Sequence, residues 1–454
     1  MNRTAVLNVV GLTQGLLGHL PRIQAFAKGH GGARSFRPVF PAVTCSAQAT
    51  YVTGQGVGEH GIVGNGWYDR DLCEVHFWKQ PDGLVRGEKL WERLRAAQPG
   101  FTCAKLFWWF NMYSRVDYAI TPRPLYPADG RKVFDVYTTP LALRHQIQSA
   151  EHLGAFPFQK FWGPAADIES SRWIAASARW LEASRQPSLS LVYLPHLDYG
   201  LQRWGPGSPE MAGEFAALDE LVGELLEFYQ GRGVRCFLLS EYGISPVSQS
   251  LSLNRFFRQA GWLQVKRELG RELLDPGASQ VFAVADHQVA QVVVNDPALV
   301  AEVRVALESL EGVESVRLPS ELGWEGRAAV ARAGDLVVTA AEGFWFDYYY
   351  WEEDGLAPDF ARTIDIHRKP GYDPCELFLD PQIRFPKLRL AHFLARKRLG
   401  FRALLEVIPI APQLVKGSHG RAEVPVEEQP VIIGPEADSV QQATDVFTAL
   451  LANF

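Results

Sequence analysis

"VRCFLLSEYGIS", Val234 to Ser245, is a near-continuous apolar run that stops at a serine, a glutamate and a tyrosine. A run without polar alternation is what a strand covered on both faces looks like. Four more stretches read the same way: "AVLNVV" (5–10), "CAKLFW" (103–108), "LSLVYL" (189–194) and "DLVVTA" (335–340). Between them, "EKLWERLRAA" (88–97) and "MAGEFAALDELVGELLEFYQGRG" (211–233) place apolar residues at helical spacing, and the second stops at glycines. Strand and helix in alternation predict a doubly wound, mainly parallel α/β sheet with helices on both faces. Ligands of such sheets sit beyond the carboxyl ends of the strands, so functional residues are expected in the loops that follow these runs.

Residues 251–340 change character. "FAVADHQVAQVVV", "ALVAEVRVALESL" and "GVESVRLPS" read as strand, helix and strand, which predicts a small α+β cap inserted into a core made of 1–250 and 341–454. "GDLVVTAAEGFWF" is then expected to return to the main sheet.

The 454 residues are 47% hydrophobic and 21% charged, an ordinary globular composition. With a formal charge of -6 and no run of like charge, nucleic-acid binding through a basic face is not expected. Cys45, Cys73, Cys103, Cys236 and Cys375 are scattered without a CxxC pair, against a zinc knuckle or disulfide framework and in keeping with a reducing compartment. "MNRTAVLNVVGL" could mimic a short export signal, but Asn8 interrupts it and it reads equally as a buried first strand. No segment reaches the roughly 18–20 apolar residues of a membrane span. A cytoplasmic protein is expected.

The loops carry the candidate chemistry. "PAVTCSAQATYVTG" (41–54) puts Thr44 and Ser46 at a helix start, where the dipole and free amides favour an adjacent anion, although such residues are commonly plain N-caps. "EHGIVGNGWYDRD" (59–71) holds His60 and Asn65 among turn glycines. "HLDYGLQRWGP" brings His196, Asp198 and Gln202, "DIHRKPGYDP" brings Asp365, His367 and Asp373, and "VKGSHGRAEVP" brings His419. "FWFDYYYWEEDGLAPDF" (344–360) is aromatic and acidic, and reads as packing before it reads as a ring-stacking pocket wall. Cys45 beside Thr44 reads as a small buried hydrophobe before a nucleophile.

In order and wording these loops resemble the alkaline phosphatase superfamily, specifically its type I phosphodiesterase and nucleotide pyrophosphatase branch. "PAVTCSAQATYVTG" is similar to that branch's nucleophile segment, "EHGIVGNGWYD" to its HGIV-x-N loop, and "HLDYGLQRWGP", "SEYGI" and "GSHGR" to its three metal loops. The resemblance implies Thr44 as the attacking hydroxyl and Asn65, 21 residues later, as a phosphate contact. It also implies two zinc ions, with Asp198, His419 and Thr44 kept among their ligands. Four ligands differ: Val10 stands for an aspartate, Gln202 for a histidine, and Glu241 with Tyr242 for an Asp-His pair. Valine cannot bind metal, and a neutral amide or phenol is a poor zinc ligand.

The expectation is therefore a phosphodiester, phosphomonoester or phosphonate hydrolase with a rebuilt centre holding one divalent ion (Zn, Mn or Mg) at Asp198, Glu241 and His419. Gln202, His196, Asp365, His367 and Tyr242 are reserve ligands. The alternative is a non-hydrolytic protein of the same fold that binds a phosphorylated or anionic metabolite within a biosynthetic or transport system.

Overall fold

The computed structural model describes residues 3–150 and 153–454. Four of the predicted apolar runs form strands β1 (Arg3–Val9), β2 (Cys103–Leu106), β5 (Leu189–Leu194) and β6 (Val234–Leu239), and two strands that the apolar pattern did not mark, β3 (Tyr118–Pro122) and β4 (Val136–Thr139), join them. They lie in one eight-stranded sheet, in the order Arg34–Ser35, Val431–Ile433, β6, β1, β5, β2, β3, β4. From β6 to β3 the neighbours are parallel, and the outer pairings are antiparallel. The ambiguous N-terminal run is the central strand: Val6 sits between Leu191 and Phe237. Helices flank the sheet, among them α1 (Thr44–Thr53), α2 (Ile168–Arg185), α3 (His196–Trp204) and α4 (Met211–Gly231). Trp173, Ile174 and Leu181 of α2 and Leu218, Val222 and Leu225 of α4 are buried with the strands in one core.

This topology positions the site. Because β1, β5 and β6 are parallel neighbours in register, their carboxyl ends bring Asn8, the start of α3 and Glu241 side by side. Helix α1 is buried along its whole length and ends at Gly54, whose φ of +68° is the left-handed conformation that closes a helix without strain only for glycine.

Two local expectations are corrected. "FAVADHQVAQVVV" is a hairpin of two strands, β7 (Val281–Asp286) and β8 (Val289–Val294), joined by His287 and Gln288. "DLVVTA" does not rejoin the main sheet. It becomes β10 (Leu336–Ala340), which pairs antiparallel with β8 and with β9 (Val313–Arg317) in a separate four-stranded sheet backed by α5 (Val300–Glu308). Buried parallel and buried antiparallel strands both read as unbroken apolar runs, so composition could not assign β10 to a sheet. The aromatic run is packing: Tyr348, Tyr349, Tyr350 and Trp351 are fully buried in the core of this small sheet.

Candidate active site

Thr44 is the first residue of α1, and its hydroxyl lies 2.9 Å from the Tyr242 hydroxyl. It is also within interacting range of the Glu241 carboxyl, whose ionised form it favours. Glu241 Oε1 accepts hydrogen bonds from two buried amides, Asn8 Nδ2 at 2.6 Å and Gln48 Nε2 at 2.5 Å. Gln48 is itself fixed by the Trp109 backbone N–H, which donates to its Oε1 at 2.7 Å.

Asp198 lies in the first turn of α3. Gln202, one turn on, donates Nε2 to Asp198 Oδ2 at 2.8 Å and accepts from the Tyr372 hydroxyl at 2.8 Å. One of the two lone pairs of its side-chain oxygen is therefore engaged. His419 Nδ1 hydrogen-bonds to the Ala42 carbonyl at 2.8 Å, which fixes the tautomer and turns Nε2 toward Asp198 Oδ1, 4.0 Å away. Asn65 is held in place by its surroundings. Its Oδ1 accepts from Cys45 N–H, while its backbone N–H and Nδ2 donate to the two carboxylate oxygens of Asp286. One Nδ2 proton is left for a ligand.

Sequence reasoning did not name Asn8, Gln48, Asp286 or His287 as site residues. The last two arrive on the β7–β8 turn. His287 has φ +63° where such two-residue turns prefer glycine, a strained position costing on the order of 1 kcal/mol. The strain places its ring against Tyr372 (centroids 3.6 Å) and His419 (3.8 Å), with Nδ1 2.7 Å from Asp286. Tyr242 stacks on the other side of His419 at 3.6 Å. Tyr242, His419, His287 and Tyr372 thus form a continuous column. A turn lacking glycine and asparagine between two apolar runs was the available signal for it.

Burial sets the electrostatics. It pushes Glu241 up to about 8, Asp198 up to about 7 and Asp286 up to about 6, and it holds His287 and His419 well below the usual imidazole range, hence neutral. No Lys or Arg is among the described contacts of the three carboxyls. Asp198 Oδ1, Glu241 Oε2 and Asn8 Oδ1 are buried oxygens without a hydrogen-bond partner. Buried acceptors left open and carboxyls left uncompensated are the features of a site that takes a cation.

The residues do not fit a pair of zinc ions. Val10 is fully buried hydrocarbon, Gln202 Oε1 already accepts from Tyr372, and Tyr242 is a neutral phenol stacked on an imidazole. Among the described residues no three His, Cys, Asp or Glu side chains are grouped to hold a metal, so Asp198, Glu241 and His419 do not form a cage. Asp198 and His419 do face each other, with Glu241 placed on Asn8 and Gln48. Of the five reserve ligands, Gln202 and Tyr242 stand at the site, on Asp198 and Thr44, while the other three are engaged with other partners: His196 pairs with Glu214 at 2.8 Å, His367 contacts the Phe77 carbonyl, and Asp365 lies 3.5 Å from Arg368.

His60 is structural. Its Nδ1 accepts from Ile62 N–H, so Nε2–H faces Thr50 Oγ1 at 3.0 Å, and burial lowers its pKa to about 3. An unfolded His60 takes up a proton near pH 6.5 while the folded one does not, so stability is lost as pH falls from about 6.5 toward 3, by at most about 1.4 kcal/mol per pH unit. Urea unfolding of the wild type and His60→Gln should therefore show a stability gap that narrows on acidification. A gap constant from pH 7 to 4 would exclude this role.

Comparison with known proteins gives the family and agrees with the fold. The family described as type I phosphodiesterase / nucleotide pyrophosphatase matches residues 4–373. An uncharacterized pyrophosphatase/phosphodiesterase of Schizosaccharomyces pombe is 26% identical over 247 residues, which are 51% of this chain and 42% of that protein, so the match spans less than half of the relative. Murine ectonucleotide pyrophosphatase / phosphodiesterase 5, in an inactive threonine-to-alanine variant with AMP, superposes with a TM-score of 0.59 at 14% identity, covering 100% of this chain and 95% of that one. Phosphonoacetate hydrolase from Sinorhizobium meliloti 1021 with phosphonoacetate gives 0.60 at 15% identity, with the same coverage. At these identities the structures establish a shared fold. Among the described residues no helix is long and apolar enough to cross a membrane.

Proposed function

The chain belongs to the type I phosphodiesterase / nucleotide pyrophosphatase family, and from that premise we propose that it hydrolyses phosphoric esters or phosphonates with Thr44 as the nucleophile. The observation that carries this reading is the juxtaposition of a hydroxyl at a helix start with a carboxyl of raised pKa and open oxygens around it. A hydroxyl attacks only when a neighbouring group takes its proton. Ionised Glu241, held by Asn8 and Gln48 with Oε2 open, is that base, so the rate should rise as pH climbs through about 8. Thr44 Oγ1 bonds to phosphorus as the ester P–O bond breaks, and the proton accepted by Glu241 passes to the departing oxygen. A water then cleaves the phosphothreonine and restores the hydroxyl. Asn65 Nδ2 holds a non-bridging oxygen with its remaining proton.

Family members use divalent metal ions, and the donors present here suit one ion at Asp198 and His419 in place of two. Such an ion would supply charge for the anionic substrate, and so few protein donors suit Mg²⁺ or Mn²⁺, which keep several waters, better than zinc. Residues 251–340 serve in this reading as a cap that delivers Asp286 and His287. A second reading, binding of an anionic metabolite without turnover, is favoured by the ring column covering His419.

The test is metal analysis with turnover of an aryl phosphodiester. Asp198→Asn should lose the bound ion and activity together, whereas Glu241→Gln should keep the ion and lose activity by roughly 10²–10⁴-fold. A metal-replete wild type without turnover would leave the binding reading.

A further inference from the structure

Helix α6 (Pro386–Arg398) contributes no buried residue to the fold. From Arg384 to Arg402 the chain carries seven Lys or Arg and no Asp or Glu, although the whole chain is at -6 and everything outside this stretch is more negative still. Three of the cations, Arg396, Lys397 and Arg398, are consecutive, a run that the reading of overall charge passed over. Among the described residues only Arg389 of the seven has an ion-pair partner, Glu406.

Six large apolar side chains stand in solvent on and just beyond the helix: Phe385, Leu388, Leu394, Leu399, Phe401 and Leu404 are each more than half exposed. Cations in the last turn offset the helix dipole, which accounts for Arg396 to Arg398 but not for leucines and phenylalanines in water. Duplex nucleic acid would match the charge and leave the aliphatic side chains without a partner. A bilayer with anionic headgroups matches both: the cations meet the surface charge and the apolar side chains enter the headgroup boundary.

We propose that α6 and its flanks are an interfacial anchor that binds the protein peripherally to an anionic lipid surface. The anchor is separate from the catalytic reading, since none of its residues touches Thr44, Glu241, Asp198 or His419.

The experiment is co-sedimentation of the full chain with vesicles of equal parts phosphatidylserine and phosphatidylcholine, against pure phosphatidylcholine and against a duplex RNA competitor. The wild type should bind the mixed vesicles at least about tenfold more tightly than the neutral ones. A triple variant, Arg396→Gln with Lys397→Gln and Arg398→Gln, should lose that preference by about tenfold or more, at about 1 kcal/mol per cation near the surface. Leu388→Ser with Leu399→Ser, which keeps every charge, should also weaken vesicle binding. Because α6 buries nothing, both variants should unfold thermally as the wild type does. Equal sedimentation with neutral and anionic vesicles would overturn the proposal. So would RNA binding as tight as vesicle binding and indifferent to the leucine changes, which would mark a nucleic-acid site.

Discussion

Thr44→Ala should abolish hydrolysis of an aryl phosphodiester, by roughly 10³-fold or more, while leaving bound metal and the unfolding midpoint nearly unchanged. The side chain removed is one hydroxyl that meets the Tyr242 hydroxyl and the Glu241 carboxyl, so the structural cost is that of one or two hydrogen bonds, about 1–2 kcal/mol. Helix α1 does not depend on it: its N-cap Val43 makes no side-chain cap, and the helix is buried throughout. The metal donors Asp198 and His419 keep their own supports, Gln202 and the Ala42 carbonyl. Loss of rate without loss of metal or stability separates a nucleophile from a structural threonine. Thr44→Ser, which restores the hydroxyl, should recover much of the rate. Undiminished turnover by the alanine variant would reject Thr44 and redirect attention to a metal-activated water.

The main-sheet strands were legible because a parallel strand buried on both faces must be apolar without interruption, and β1, β5 and β6 are. Asp198 and Glu241 were legible because each follows such a strand, His419 because it sits in a glycine-flanked loop, and Thr44 because it opens a helix after Pro41 within a recognisable motif. Asp286 and His287 were not: Asp286 meets Asn65 across 221 residues of sequence, through the β7–β8 hairpin, whose turn carries no glycine or asparagine. Nor were Asn8 and Gln48. A buried amide inside a strand or helix has the same sequence signature whether it satisfies backbone groups or clothes a carboxylate. The replacement of ligands that the resemblance implies by a hydrocarbon, an amide and a phenol was legible at Val10, Gln202 and Tyr242. The ring column of Tyr242, His419, His287 and Tyr372 depends on tertiary geometry alone.

Lys369→Met should be the most destabilising single substitution near the site, at about 3–5 kcal/mol. The Lys369 ammonium lies 2.7 Å from both Asp373 and Glu376, and all three side chains are at most 2% exposed. Taking three charges out of water is unfavourable, and their mutual attraction offsets that only while the set is complete. Glu376 is further committed to Trp162 Nε1 and the Asp365 backbone N–H, and Asp373 to the Cys375 N–H, so neither carboxyl can turn outward to find water. Without the lysine they must remain charged and unpaired or take up protons. Burial already raises Glu376, and losing the Lys369 charge would raise it further above its unfolded value, so the variant should be most stable in acid and lose stability as pH rises through and beyond the carboxylate range. Urea midpoints between pH 5 and 8 would show this slope in Lys369→Met. Adding Asp373→Asn and Glu376→Gln should flatten it and recover part of the loss. The triad also holds the segment that presents Tyr372 to Gln202 and His287, so turnover should fall with stability even though no member of the triad touches Thr44. A midpoint within about 1 kcal/mol of the wild type at pH 7 would mean that water reaches these carboxyls and that the triad is not sealed.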